Sequence, residues 1–235
     1  MSLRTVRLQS AALLLACATY AMGATPARRA APRPATGPTA VAVESNKPYV
    51  HEGSRFTFPP SLGAFARVRV YRVDTAGEDV TVAYRDPDLK IVATVSVYPT
   101  LDVPPTRHFE AVKREMARLH PKARVAAEGE WKLRQPAPRD DPEAGAEADG
   151  LRAVYEYIGP LNGVEQDLTT ELYLLSVGRH FVKYRLTYPT ADARAAGVRA
   201  KRFLEVLTLP EADTRDASRN GKPEGNRDRD DEVRT

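Results

Sequence analysis

Cysteine is almost missing from the chain: its 235 residues include one. A single thiol cannot close a disulfide within the chain, and no multi-cysteine zinc or iron–sulfur site can be built. No apolar run approaches the ~20 residues of a spanning helix. Phosphate-cradling GxGxxG and GxxxxGK[ST] loops do not occur, nor does a GxSxG elbow or an HExxH pair. No RNP-like arrangement points to RNA. What is plentiful is apolar and charged residues, 42% and 28% of the chain, together with 19 prolines. That apolar fraction is too high for a wholly disordered chain. The length suits one domain with extensions or two small domains.

The net charge of +4 is unevenly spread: positions 1–24 carry +2, positions 25–45 another +2, and the stretch from 211 onward −2. Only +2 is left for the middle. Half of the excess therefore sits outside the body of the protein, which argues against nucleic acid as a partner.

Arg4 and Arg7 precede the short apolar run Ala11–Ala16, and small residues follow. This is the layout of a signal peptide over 1–24, so export is expected. Leu14-Leu15-Ala16-Cys17 resembles the lipobox of bacterial lipoproteins, in which the cysteine becomes the lipid-bearing N-terminus. Cys17 is thus a lipidation candidate, and such an anchor would be the chain's sole tie to a membrane. The other reading has Cys17 discarded within the leader; cleavage after Gly23 would leave a mature chain without cysteine. Residues 25–45 are rich in Ala and Pro and read as an extended linker. The stretch 135–150 is an acidic loop whose spacing does not fit a calcium-binding EF-hand. Residues 211–235 have too few apolar side chains to offset their ordering entropy and read as a disordered charged tail.

Between them, 46–210 reads as a single α+β domain: a mostly antiparallel twisted sheet of about six to eight strands with two main helices packed on it. Alternation marks strands at Val68–Tyr71, Val80–Tyr84, Ile91–Tyr98, Trp131–Leu133, Leu151–Tyr157, Leu168–Leu174 and Val182–Tyr188. Ile91–Tyr98 is apolar on both faces and belongs in the centre of the sheet. The last two strands form a hairpin through Val177-Gly178. Phe109, Val112, Met116 and Leu119 make one helical stripe, with Thr106 as expected N-cap and Pro121 as stop. Ala193, Ala196, Ala200, Phe203 and Leu207 make the other, closed by Pro210.

The order of these features resembles the PsbP/Mog1-like group of small α/β domains, which includes periplasmic lipoproteins. The resemblance is carried by Arg55-Phe56-Thr57-Phe58-Pro59-Pro60, the strands through Tyr98-Pro99, the Phe109 helix, the Trp131 strand, the long hairpin, the Phe203 helix and Val206-Leu207-Thr208-Leu209. It implies a non-catalytic binding or assembly factor.

Among the four histidines, His108 and His120 fall about 120° apart on one helix and cannot chelate together. His180 shares the inward phase of Val182 and Tyr184 and reads as packed, whereas His51 reads as exposed at the domain edge. No catalytic residue, metal ligand or cofactor site is expected. Arg67, Arg69, Lys183 and Arg185 occupy the polar phase of their strands and would form a basic, partner-binding face if those strands were neighbours. The expected function is that of a non-catalytic exported module, periplasmic or lipid-anchored, that binds an envelope protein, glycan or lipid. The alternative is a secreted hydrolase with a non-standard carboxylate or histidine site.

Overall fold

The computed structural model of the chain describes residues 37–134 and 147–206. The leader with Cys17, most of the linker and of the acidic loop, and the charged tail with Leu207 and Pro210 lie outside the described residues.

Strands form where the sequence alternates. Four short ones, β1 (Thr39–Val41), β2 (Tyr49–Val50), β3 (Thr57–Phe58) and β4 (Ser61–Leu62), precede β5 (Phe65–Arg72), β6 (Val80–Asp86) and β7 (Ile91–Pro99). Helix α1 (Pro105–Leu119) leads to β8 (Arg124–Arg134), β9 (Glu147–Leu161), β10 (Val164–Val177), β11 (His180–Pro189) and helix α2 (Ala193–Val206). The main sheet runs β1-β5-β6-β7-β11-β10-β9-β8, with β4 also on β5, and every pairing in it is antiparallel. Two meanders, β5-β6-β7 and β8-β9-β10-β11, therefore meet at their last strands. α1 carries the chain from that seam to the far edge.

The α+β class and the central place of β7 agree with the sequence reading, but the main sheet has nine strands rather than six to eight. The excess is β1 and β4, three and two residues long, too short to show an alternation. β1 also moves the start of the fold: Thr39–Val41, read as linker, pairs with Val70–Arg72. Glu147–Gly150, read as the end of the acidic loop, belongs to β9.

The two helices cover opposite faces. Ala196, Ala200, Phe203 and Leu204 of α2 pack on Phe65, Val82, Tyr84, Val95, Tyr184 and Leu186. His108, Phe109, Val112 and Met116 form the buried side of α1, whose apolar members lie over Ala153, Tyr155, Leu168, Leu172, Leu174 and Phe181. Each buried aliphatic or aromatic side chain contributes roughly 1.5–3 kcal/mol. α1 begins without the expected cap: Pro104 is the N-cap residue, no side chain bonds there, and Thr106 lies inside the first turn. Pro105 at the first helical position has no N–H that needs an acceptor, so the missing cap costs little. Tight turns set the hairpin registers. Asn162 and Gly163 both have positive φ, 54° and 82°, the twist a two-residue hairpin loop requires, and Gly178 (φ 56°) opens the β10–β11 turn.

Candidate functional site

The α1 side of the sheet is only half covered by helix. The apolar cluster under α1 takes no side chain from β5 or β6, and the buried Ala83 of β6 lies outside it. Cross-strand register places two rows on this uncovered part: Arg69, Ala83, Thr94 and Arg185, then Tyr71, Thr81, Ser96 and Lys183. The middle of each row is small, so the long side chains at either end wall a trough with a hydroxyl-bearing floor. Thr81 and Ser96 share a 2.8 Å hydrogen bond there.

Lys183 forms one wall. Its Nζ lies 5.7 Å from the centre of the Tyr98 ring, a cation–π contact. Among the described residues no carboxylate reaches ion-pair distance of its ammonium. Burial pushes its pKa down, against the opposing pull of Glu115 and Asp79. Asp79 precedes β6, and burial, opposed by the Lys183 charge and helped by Asp74, raises its carboxyl to about 6. Tyr98 Oη and His108 Nε2 close the end of the trough at 2.8 Å, and the His108 ring stacks on Phe181 with centroids 4.5 Å apart. Burial first, and the Lys183 charge second, hold the imidazole at about 4. Arg185 turns toward α1, where a guanidinium nitrogen lies 3.4 Å from His120 Nε2.

The expected basic face is thus partly assembled and partly corrected. β5 and β11 are not neighbours, since β6 and β7 stand between them. Arg69, Lys183 and Arg185 share the α1 side. Arg67 leaves it because a bulge between Arg67 and Arg69 makes these residues oppose the consecutive Tyr84 and Ala83. The Arg67 guanidinium instead donates to the carbonyls of Phe58, Glu44 and Lys47 and ties down the N-terminal segment. The same bulge leaves Val68 exposed.

His51 is a second correction, because it is 1% exposed rather than at the surface. Its Nε2 donates to the Gly77 carbonyl at 3.0 Å and its Nδ1 accepts from the Ser54 hydroxyl at 2.7 Å. Both ring nitrogens are satisfied, so burial costs little. The half-buried His180 meets its edge with centroids 6.1 Å apart. Among the described residues no group of three or more His, Cys, Asp or Glu side chains could hold a metal ion. A shallow groove of about 750 Å³ between Lys122, Tyr157, Gln166 and Thr190 gathers none of the histidines or basic-face residues weighed from sequence. The sequence reading missed Asp79, Thr81, Thr94 and Ser96. The last three carried a usable signal, small hydroxyl residues in the outward phase of their strands.

The chain matches no family model and no curated protein. No helix of the described residues is long and apolar enough to cross a membrane.

The trough gives stability an internal pH compensation. His108 is depressed to about 4, so its contribution is complete above its ordinary value near 6.5 and is lost as pH falls to about 4. Asp79 is raised to about 6, so its charged form opposes folding and that penalty disappears over about the same window. Asp79→Asn should expose the histidine term, with stability to urea falling by roughly 2–3 kcal/mol between pH 7 and 4. His108→Gln should fall less steeply than Asp79→Asn over the same range, because His120 and His180, both lowered by burial, keep the same sign. Identical pH profiles for the two variants would refute this coupling.

Proposed function

We propose that this is a non-catalytic binding domain of an exported, periplasmic or lipid-anchored protein of the cell envelope, and that it takes an anionic group of its ligand in the trough. The observation that carries the reading is Lys183: a buried ammonium with no ion-pair partner among the described residues, set beside hydroxyls that can donate hydrogen bonds. A carboxylate, phosphate or sulfate supplies the missing charge and accepts from Lys183, Thr81, Thr94 and Ser96, interactions stronger than neutral hydrogen bonds. Arg69, exposed at the outer wall, draws such a ligand in, and that attraction is weakened by salt. The signal-peptide layout and the order-level resemblance to PsbP/Mog1-like domains support the same reading.

The test is titration of the mature protein with anionic vesicles, neutral vesicles and an acidic polysaccharide. Lys183→Gln should weaken binding to the preferred anionic probe by about tenfold or more. Lys201→Gln, on the opposite helix, should leave it unchanged. Equal binding of all three probes, or indifference to Lys183→Gln, would overturn the assignment. Mature N-terminal sequencing tests export, and labelled lipid precursor should enter the wild type but not Cys17→Ala if the anchor forms.

One observation favours a second reading, a secreted hydrolase with a non-standard site. Asp79, poised near 6 beside a lysine of lowered pKa, has the protonation range of an acid–base group. In that case Asp79→Asn abolishes turnover while leaving ligand affinity within a few fold.

A further inference from the structure

The two ends of the main sheet are finished differently. At one end β5 is capped by the short β1 and β4. At the other end β8 runs for eleven residues and, among the described residues, pairs with β9 alone. Arg124–Glu130 is exposed at every position, on both faces. A long strand with a free row of N–H and C=O groups is a template for another strand.

The sequence of this edge specifies which strand fits. A bulge between Val125 and Ala127 disrupts the register, so the regular part is 128–134. That stretch reads Glu128-Gly129-Glu130-Trp131-Lys132-Leu133-Arg134, with acids before the tryptophan and bases after it at mirror positions. Trp131 is its midpoint. We infer that the β8 edge pairs antiparallel with the β8 edge of a second copy of this chain, Trp131 opposite Trp131, joining two sheets across a two-fold axis.

In this register Glu130 faces Lys132 of the second copy and Lys132 faces its Glu130, while positions 128 and 134 also oppose acid to base. Positions 128, 130 and 132 share the α1 side, the arrangement in which cross-strand charge pairs interact. On the α2 side Gly129 lies opposite Leu133, a small residue against a large one, and the tryptophans adjoin. Within one chain Lys132 Nζ lies 3.5 Å from Glu147 and 3.7 Å from Asp149, and Glu128 pairs with Lys113. Lys132 keeps 67% of its side chain exposed and can serve a partner as well. A parallel pairing, or a shift by one residue, would oppose like charges or put them against the tryptophan. The interface is isologous and closes on itself, so it yields a dimer and not a fibre.

Sedimentation equilibrium of the mature protein tests this. The wild type should be a dimer. Glu130→Lys sets lysine against lysine and Lys132→Glu sets acid against acid; each should raise the dissociation constant by about tenfold or more. Mixing the two single variants should restore association as a heterodimer, and the double variant E130K/K132E should dimerise by itself. A merely damaged edge would not be rescued in either way. A wild type that stays monomeric throughout, a dimer indifferent to both single changes, or a mixture that fails to associate would overturn the proposal.

Discussion

Phe203→Ala should lower the free energy of unfolding by about 4 kcal/mol, the upper range for a large-to-small change in a core. The ring is 1% exposed and lies 4.6 Å from Phe65 and 5.4 Å from Tyr84, centroid to centroid. It is also the main point at which α2 engages the first meander. Of the other buried residues facing the sheet, Ala196 and Ala200 are small and let the helix approach closely, so that Leu204 is the one other large side chain on this side. Losing the ring leaves a cavity that neither strand can collapse into, because Tyr84 is held by its hydrogen bond to the Pro59 carbonyl at 2.9 Å. Urea unfolding followed by far-UV circular dichroism would measure the loss. A change below about 1 kcal/mol would mean that α2 is not anchored here. The Arg199–Asp86 pair, 2.9 Å apart with Asp86 fully buried, would then be the stronger anchor.

The second large effect is expected at Glu171, a carboxylate 4% exposed in the middle of β10. Tyr188 Oη donates to Oε1 at 2.6 Å, and Tyr173 and Arg152 donate to Oε2. Burial pushes its pKa up, but these donors and the Arg152 charge outweigh that and hold it below the usual carboxylate range. Glu171→Ala leaves two phenols and a guanidinium without their acceptor and opens a void. A loss of about 3–5 kcal/mol is expected. Glu171→Gln retains the shape and should lose less. The depressed carboxylate also fixes the sign of its pH dependence: its stabilisation is present at neutral pH and is lost in acid as pH falls through its folded value. An Ala variant as stable as the wild type would show that the network adds nothing beyond what an apolar core would supply.

Much of this architecture was legible because strand and helix periods are local properties of the chain. Leu168–Leu174 and Val182–Tyr188 announced a hairpin, and the Phe109 and Ala196–Phe203 stripes announced one buried side on each helix. Asn162-Gly163 was an equally local signal for the β9–β10 turn, and it went unread. The errors lie where a distant contact overrides a local pattern. Arg67 and Arg69 look like one face until a bulge, set by pairing with β6, sends Arg67 across the sheet. His51 looks like a polar edge residue until the Gly77 carbonyl, 26 positions away, satisfies its ring. Asp79 has no motif around it; its place in the site comes from its nearness to Tyr98 and Lys183.

The sequence by itself determined the class of the fold, the position of its two helices and of its long strands other than most of β8, and which side of each is apolar, because those follow from periods of two and 3.6 residues. It also contained the mirrored charges about Trp131. Only the tertiary structure decided that the two meanders meet through β7 and β11, that the helices take opposite faces, and that a trough on the α1 face holds a lysine with no ion-pair partner among the described residues. Strand order and cross-sheet neighbours arise from contacts between residues far apart in the chain, and no local period encodes them.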